Sequence, residues 1–215
     1  MAEAAPHAEA TELDESPEKT LNPPGSLALD LINTEALARG KCRDFLPTTD
    51  ALARWWDEVR VEYPEECASA GAEAPNVWTS ELLAEVKALR NALRILVTQV
   101  VARQAIEAEA LEPVNAILAL TFPTLERTDA GTVSAVMRSR DGERGRVLAA
   151  VAHSALRLLT QSDWRRLRQC QNDRCIFIFQ DTTRSGTRRW CTPICMNRAR
   201  SIRRYRMSKQ TTGPK

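Results

Sequence analysis

Residues 170–195 read CQNDRCIFIFQDTTRSGTRRWCTPIC, and the spacing of their cysteines predicts the fold of the C-terminal part of the chain. Four residues separate the first two cysteines, three separate the last two, and fifteen lie between the pairs. Two such pairs of thiols, joined by a segment that folds back, match the four ligands of a tetrahedral zinc ion. The sequence therefore predicts one structural Zn²⁺, with no open coordination position for catalysis, on Cys170, Cys175, Cys191 and Cys195.

These cysteines could instead form a pair of disulfides, or they could be four unrelated buried thiols. The first twenty residues are acidic and lack the apolar segment of a secretory signal. The longest apolar region, residues 89–101, is interrupted by arginines and predicts no membrane span. We therefore expect a cytoplasmic protein in a reducing compartment, where clustered cysteines favour metal. Cys42 and Cys67 stand apart and are interpreted as ordinary thiols.

The segment between the cysteine pairs has the pattern of a small hairpin. Residues 176–179 (IFIF) favour a strand, residues 181–186 are rich in turn formers, and residues 188–190 (RRW) are predicted as the return strand. Thr192 and Pro193 then begin a helix that carries the last cysteine in its first turn. The cysteine loop, hairpin and helix together predict a treble-clef-like zinc finger.

Helical periodicity dominates the chain before the cysteines. After a Pro-Pro-Gly breaker, residues 27–34 (LALDLINT) predict a helix, with a short strand as the competing interpretation. A second helix is predicted after Thr48 or Thr49, since apolar side chains then recur at i, i+3, i+4 and i+7. The apolar residues of this second helix are Leu52, Trp55, Trp56 and Val59.

The longest predicted helix lies in the middle of this helical region. Residues 62–77 contain two prolines and a glycine and are predicted as a loop. Ser80 then opens a helix that extends to about Ala105. Its core-facing side is formed by Leu82, Val86, Leu89, Leu93, Leu96, Val97 and Val100.

Three further elements complete the predicted helical region. Pro113 fits the first turn of a short helix that ends at Leu120. Residues 123–137 predict a hairpin around an Asp-Ala-Gly turn, and residues 145–164 predict a last helix. The predicted fold is thus mainly α, organised as a disordered acidic tail (1–25), a helical domain with one small β-hairpin (26–160), a zinc finger (161–208) and a disordered tail (209–215).

The formal net charge of +2 is the sum of two unlike parts. Residues 1–160 carry 16 basic and 25 acidic side chains, a net charge of −9, whereas residues 161–215 carry 14 basic and 3 acidic ones, a net charge of +11. Arginine suits phosphate and guanine contacts, so nucleic acid is the expected partner. The alternative is a solvated face or a dock for the chain's own acidic part.

The candidate DNA contacts come from this basic segment. They are Arg184, Arg188, Arg189, Asn197, Arg198, Arg200, Arg203 and Arg204. For Asn197 and Arg198, buttressing of the finger is an open alternative to base contact.

The basic segment also resembles a known family. The cysteine spacing, together with residues 179–181 (FQD), 188–191 (RRWC) and 195–198 (CMNR), is similar to the CGNR zinc finger of bacterial regulators. Met196 stands where that family has glycine, a change that leaves the ligands intact. The resemblance implies DNA binding and transcriptional control.

The finger of that family follows a helical domain called ABATE, to which ligand sensing in stress-response transcription regulators is ascribed. Residues 27–34 (LALDLINT), 89–94 (LRNALR) and 114–115 (VN) resemble parts of that domain. The resemblance therefore spans about residues 26–207. Asp30, Asn33 and Thr34 are candidates for effector contact, with a helix cap or a buried hydrogen-bond network as the alternative role.

These observations predict a zinc-dependent DNA-binding transcriptional regulator whose helical domain senses a small molecule. The alternative is a zinc-stabilised module that binds a protein or RNA without sequence-specific DNA binding. An enzyme is not expected, because the sequence offers no Ser/His/Asp set, phosphate-binding glycine loop or close carboxylate pair with a base. A homodimer would give the finger a second half-site, although no heptad seam requires one.

Overall fold

The computed structural model describes residues 25–38, 41–69 and 74–211. It is mainly α-helical, as predicted, and its strands form antiparallel pairs. The helices are α1 (Leu27–Ile32), α2 (Thr49–Glu62), α3 (Pro64–Ser69), α4 (Ser80–Ala102), α5 (Ala108–Leu118), α6 (Gly142–Thr160) and α7 (Pro193–Thr211). The strand pairs are β1 (Glu35–Ala38) with β2 (Lys41–Asp44), β3 (Thr121–Arg127) with β4 (Val133–Ser139), and β5 (Leu167–Gln169) with β6 (Ile178–Gln180). Among the described helices, none combines the length and the apolar character that a membrane span requires.

The two predicted tails fall mostly outside the described residues. Residues 1–24 and 212–215 are not among them, so disorder there stays a prediction. Helix α7 continues to Thr211, beyond the predicted end of the finger at residue 208.

The periodic helices of the sequence are present, and their apolar stripes are buried. Thr48 and Thr79 cap α2 and α4, each hydroxyl accepting a hydrogen bond of 3.2 Å from a backbone N–H of the first turn. Every residue of the two predicted stripes is buried. Helix α4 ends at Ala102, before the predicted Ala105, because Arg103 adopts the left-handed backbone conformation (φ 56°) that closes a helix.

Three predictions about the helical domain are wrong in detail. The loop predicted over residues 62–77 contains α3, which Pro64 opens and whose first turn carries two glutamates that suit a helix N-terminus. Pro113 lies in the middle of α5 instead of its first turn, because the helix already begins at Ala108. A second hairpin, β1–β2, follows α1, whereas the sequence pattern predicts only one hairpin in the domain.

The predicted hairpin is present as β3 and β4 and leads into α6. Gly131 takes a positive φ of 78° in its turn, a conformation that glycine adopts without strain. Helix α6 begins at Gly142, ahead of the predicted start at Gly145. A Cβ at Gly145 would lie 2.1 Å from the Ser139 Oγ, so only glycine lets α6 approach β4 this closely.

Helix α1 lies against α4 and α6, and all six of its residues are buried. The Ser26 hydroxyl caps its N-terminal end. The Leu27 N–H donates to a carboxylate oxygen of Glu66 in α3 at 3.2 Å, and the Ala28 N–H donates to Ser154 in α6 at 3.0 Å. Because a buried helix cannot turn these N–H groups towards water, α3 and α6 are held at its N-terminal end.

Arg90 of α4 ties the β1–β2 hairpin to the residues that follow α1, and its side chain is 3% exposed. Its guanidinium donates to the Thr34 hydroxyl at 3.0 Å and to both Asp44 oxygens at 2.7 and 3.1 Å, and it pairs with Glu35 at 3.1 Å. Burial alone would raise the pKa of Asp44. Hydrogen bonds from Arg90, a backbone N–H and Lys87 outweigh that effect and hold this pKa well below its usual range.

The strands of the finger pack on the helical domain. Leu167 of β5 and Ile178 of β6 are buried in the same apolar cluster as the side chains of α1 and α4. The Asn33 side chain, just after α1, hydrogen-bonds to the backbone of Ile178. The helical domain and the finger therefore share one core.

We expect Asp44→Asn to lower the free energy of unfolding by about 1–3 kcal/mol at neutral pH, because Arg90 loses a charged partner. The pKa of Asp44 is lowered by folding, so its contribution is complete above the ordinary aspartate pKa of about 3.9 and is lost progressively as the pH falls from there towards the lowered pKa of the folded state. Urea unfolding at neutral pH and at about pH 3 measures both free energies. The deficit of the variant should shrink at the lower pH.

The exposed Asp57 offers a matched control for this experiment. Asp57→Asn should change the free energy of unfolding by less than about 0.5 kcal/mol. A deficit of equal size at both pH values in Asp44→Asn would contradict the assigned role of the carboxylate charge.

Candidate metal centre and nucleic-acid interface

The β5–β6 hairpin presents the first cysteine pair. Cys170 follows β5, and its N–H donates to the Phe177 carbonyl at 2.9 Å, which closes the loop ahead of β6. The predicted return strand over residues 188–190 is wrong, since that segment is not a strand and β6 pairs with β5 instead. This pairing buries Leu167 and Ile178 together in the core of the helical domain.

The second cysteine pair flanks the start of α7. The Thr192 hydroxyl accepts a hydrogen bond from the Cys195 N–H at 3.2 Å, and the Thr192 carbonyl accepts one from the Met196 N–H at 3.1 Å. Pro193 occupies the first helical position, as predicted. Cys195 therefore lies in the first turn, where the positive end of the helix dipole favours a thiolate.

The four predicted zinc ligands form one cluster, with all sulfur atoms within 4.8 Å of one another. The Cys191 Sγ lies 3.7 Å from that of Cys175 and 3.5 Å from that of Cys195. A tetrahedral zinc ion with Zn–S bonds of about 2.3 Å sets its sulfurs about 3.8 Å apart. Cys42 and Cys67 lie outside the cluster, and none of the six cysteines, all within the described residues, forms a disulfide. The cluster fits one structural Zn²⁺.

The clustered thiols change one another's acidity. Hydrogen bonds with Cys175 and Cys191 lower the pKa of Cys170 to about 7, and those with Cys170 and the other thiols lower the pKa of Cys195. Hydrogen bonding with Cys170 is the first cause that raises the pKa values of Cys175 and Cys191. Close approach of the thiols thus favours deprotonation within the cluster, and zinc binding requires the remaining thiols to release their protons.

Asn172 supports the cluster, a role that the sequence-based prediction missed. Its side chain is buried, accepts from the Arg174 N–H at 3.1 Å and donates to the Cys195 carbonyl at 3.3 Å. It thereby shapes the loop between the first two cysteines and fastens that loop to α7. An asparagine two residues after a ligand is a turn signal that sequence reasoning can recognise.

Asp181 is a second supporting residue, and it is completely buried. It accepts from the Thr183 hydroxyl at 2.5 Å and from the Arg188 N–H at 2.7 Å, and it lies 3.5 Å from the Arg168 guanidinium. Burial alone would raise its pKa, but these hydrogen bonds and the Arg168 charge lower it. The sequence offers one signal for this role, because Asp181 is an acidic residue in a strongly basic segment.

Two of the predicted DNA contacts are engaged within the finger. The Arg188 guanidinium donates to the Trp190 carbonyl at 2.9 Å and to the Cys191 carbonyl, so it supports the backbone of the metal site. Arg189 is exposed, donates to the Gln171 side chain at 2.6 Å and lies over the Trp190 ring, 5.2 Å from its centroid. Trp190 itself packs against the cysteine cluster.

The remaining predicted DNA contacts are exposed wherever their side chains are described. They are Arg184, Asn197, Arg198, Arg200 and Arg204, whereas the side chain of Arg203 lies outside the described part of the chain. Asn197, Arg200 and Arg204 follow i, i+3, i+7 spacing on α7 and line one shallow depression together with Ser201. The structure thus brings three of these side chains to one helix face.

The three predicted effector contacts lie in α1 and the two residues after it, and one of them, Asn33, contacts the finger. Asp30 accepts from the Trp55 indole N–H at 2.8 Å, Thr34 accepts from the α4 guanidinium at 3.0 Å, and Asn33 bonds to the Ile178 backbone. All three are buried within hydrogen-bond networks. Effector contact at these residues stays a prediction.

Comparison with known families covers both parts of the chain. Residues 25–162 match the ABATE family, described as "putative stress-induced transcription regulator", and residues 166–208 match the CGNR zinc finger. No curated protein matches the chain significantly. Met196, at the glycine position of the CGNR pattern, is half-buried in α7.

We expect Cys191→Ser to lose the metal, because a serine hydroxyl does not replace a thiolate ligand of zinc. Metal analysis of the purified chain should give about one zinc ion per wild-type chain and far less for this variant. The exposed cysteine outside the cluster provides the control, and Cys42→Ser should keep its zinc. Full zinc content in Cys191→Ser would exclude Cys191 as a ligand.

Proposed function

The chain belongs to the ABATE family and ends in a CGNR zinc finger, and from this we propose that it is a zinc-dependent, DNA-binding transcriptional regulator. In this proposal the finger binds duplex DNA and the helical domain senses a small molecule. The expected setting is the stress response named in the family description, in the cytoplasm of a bacterium. No catalytic step is part of the proposal.

The exposed face of α7 beside the zinc site carries the proposal. The helix contains six basic and no acidic side chains over its 19 residues. Cys195 fixes the first turn of the helix to the metal cluster, so the face of Asn197, Arg200 and Arg204 has a defined direction. In a major groove, arginine suits guanine and asparagine suits adenine, and an α-helix fits the width of that groove.

Other arginines of the finger have supporting roles in this proposal. Arg184 and Arg189 are exposed and suit contacts with phosphates, which position a protein on DNA without reading its sequence. Arg198 is exposed on α7 and extends the same basic surface. Arg188 acts from inside the finger by holding the backbone next to the zinc ligand Cys191.

Effector sensing is assigned to the helical domain because its buried polar network reaches the finger. An effector that displaced the hydrogen bond between Asn33 and Ile178 would change how the finger is held, and the hydrogen bonds of Asp30 and Thr34 lie beside it in the helical domain. Thermal-shift screening of small metabolites against the wild type and Thr34→Val tests this part, since a ligand of the network should stabilise only the wild type. We also propose a homodimer, whose two fingers would contact two half-sites, and sedimentation of the zinc-loaded chain with DNA counts the copies.

We expect the zinc-loaded chain to bind labelled duplex DNA with an affinity that falls steeply with salt, because each neutralised phosphate releases a counterion. Replacing Arg200 and Arg204 together by alanine should weaken binding at least about tenfold, which corresponds to about 1.4 kcal/mol. Fluorescence anisotropy at low salt measures both affinities. Selection from a random duplex pool, with and without zinc, then tests sequence preference.

A matched control removes the same charge from another exposed helix. The pair Arg54→Ala and Arg60→Ala on α2 should leave DNA affinity unchanged. Removal of zinc by a chelator should abolish binding, so retention after chelation, or no duplex binding at low salt, contradicts the proposal. Preference for RNA, or capture of a protein that nuclease treatment does not release, would favour the alternative interaction module.

A further inference from the structure

We propose that Asn33 and Arg94 couple zinc binding in the finger to the stability of the corner of the helical domain, residues 32–36, where α1 ends and β1 begins. Three separate contacts join this corner to the finger, and none of them depends on DNA binding.

The first contact is an amide side chain that completes the backbone hydrogen bonding of a finger residue. The Asn33 Nδ2 donates to the Ile178 carbonyl at 2.8 Å, and its Oδ1 accepts from the Ile178 N–H at 3.1 Å. The two residues are 5% and 2% exposed, so water does not replace the amide. Loss of the side chain would leave a buried N–H and a buried C=O without partners.

The second contact is a guanidinium that joins both parts of the protein. Arg94 of α4 donates to the Ile32 carbonyl at the end of α1 and to the Ile176 carbonyl at 3.4 Å. Its Nε lies 3.3 Å from a carboxylate oxygen of Glu35 in β1. Ile176 directly follows the zinc ligand Cys175, so one side chain connects the corner with the metal site.

The third contact is apolar. Ala36 of β1 packs against the second buried cluster of the protein. That cluster consists of Cys170, Phe177, Phe179, Cys191 and Cys195. A residue of the helical domain therefore touches the group that contains three of the four zinc ligands.

These contacts make zinc binding and corner stability one linked equilibrium. A four-cysteine finger assembles its ligands only when it folds, so contacts that favour the folded finger add to its apparent zinc affinity. Zinc holds the finger segment from one side, and Asn33 and Arg94 hold it from the other. Because coupling between two sites is reciprocal, loss of zinc loosens the corner, and any change that releases the corner weakens zinc binding.

Hydrogen–deuterium exchange of the full chain, with zinc and after chelation, tests the first direction. Amides of residues 27–38 should exchange faster in the zinc-free chain. Residues 121–139, whose β4 packs on α3 and α6, serve as the internal control and should exchange alike in both forms. Unchanged exchange of residues 27–38, with zinc removal verified by metal analysis, would overturn the proposal.

Zinc competition with a chromogenic chelator tests the reverse direction. Asn33→Ala should weaken zinc binding about tenfold, whereas Asn91→Ala, at an exposed asparagine of α4, should not. Arg94→Lys keeps a charge beside Glu35 but lacks the forked donor for the two carbonyls, and it should also weaken zinc binding. It serves as the second variant if Asn33→Ala does not fold. Zinc affinities equal to wild type in both variants would exclude the coupling.

Discussion

Helix α1 is six residues long and wholly buried, so the polar backbone groups at its two ends need partners from inside the protein. Glu66 of α3 and Ser154 of α6 accept from its first N–H groups, and Arg94 of α4 donates to the Ile32 carbonyl at its end. A buried backbone group without a partner costs about 1–3 kcal/mol. The placement of α3, α4 and α6 around α1 therefore follows from hydrogen bonding as well as from apolar packing.

The arginines of the finger share one residue type but have two physical roles. Arg166 and Arg168 donate to backbone carbonyls of the turn after β6 and pair with Asp163 and Asp181, both in the finger, while Arg188 holds the backbone at the metal site. The α7 arginines with described side chains are exposed. Fewer of the 14 basic side chains in residues 161–215 are therefore available to a partner than the count suggests, because some of them already hold the loops of the finger in place.

The elements that sequence reasoning identified have local signals, and those it missed depend on distant residues. The stripes of α2 and α4 and the cysteine spacing lie within one helix or one short segment, and the structure confirms them. The β1–β2 hairpin has no alternating pattern and is held by Arg90, 46 positions from Asp44. The prediction that residues 188–190 pair with β6 is wrong because β6 pairs with β5, and the core of the helical domain, which buries Leu167 and Ile178 together, favours that pairing. The Asn33 amide, 145 positions from Ile178, bonds to the Ile178 backbone.

The burial of Leu167 and Ile178 against the helical domain also bears on how such a protein can evolve. A zinc finger that carries its own metal and core can be exchanged between unrelated proteins as a cassette. This finger, joined to a different domain, would expose two apolar side chains and leave the β6 backbone without its amide partner. A productive gene fusion would have to supply an apolar surface for these two side chains and an asparagine placed to bond to the β6 backbone. This requirement favours inheritance of the helical domain and the finger as a pair.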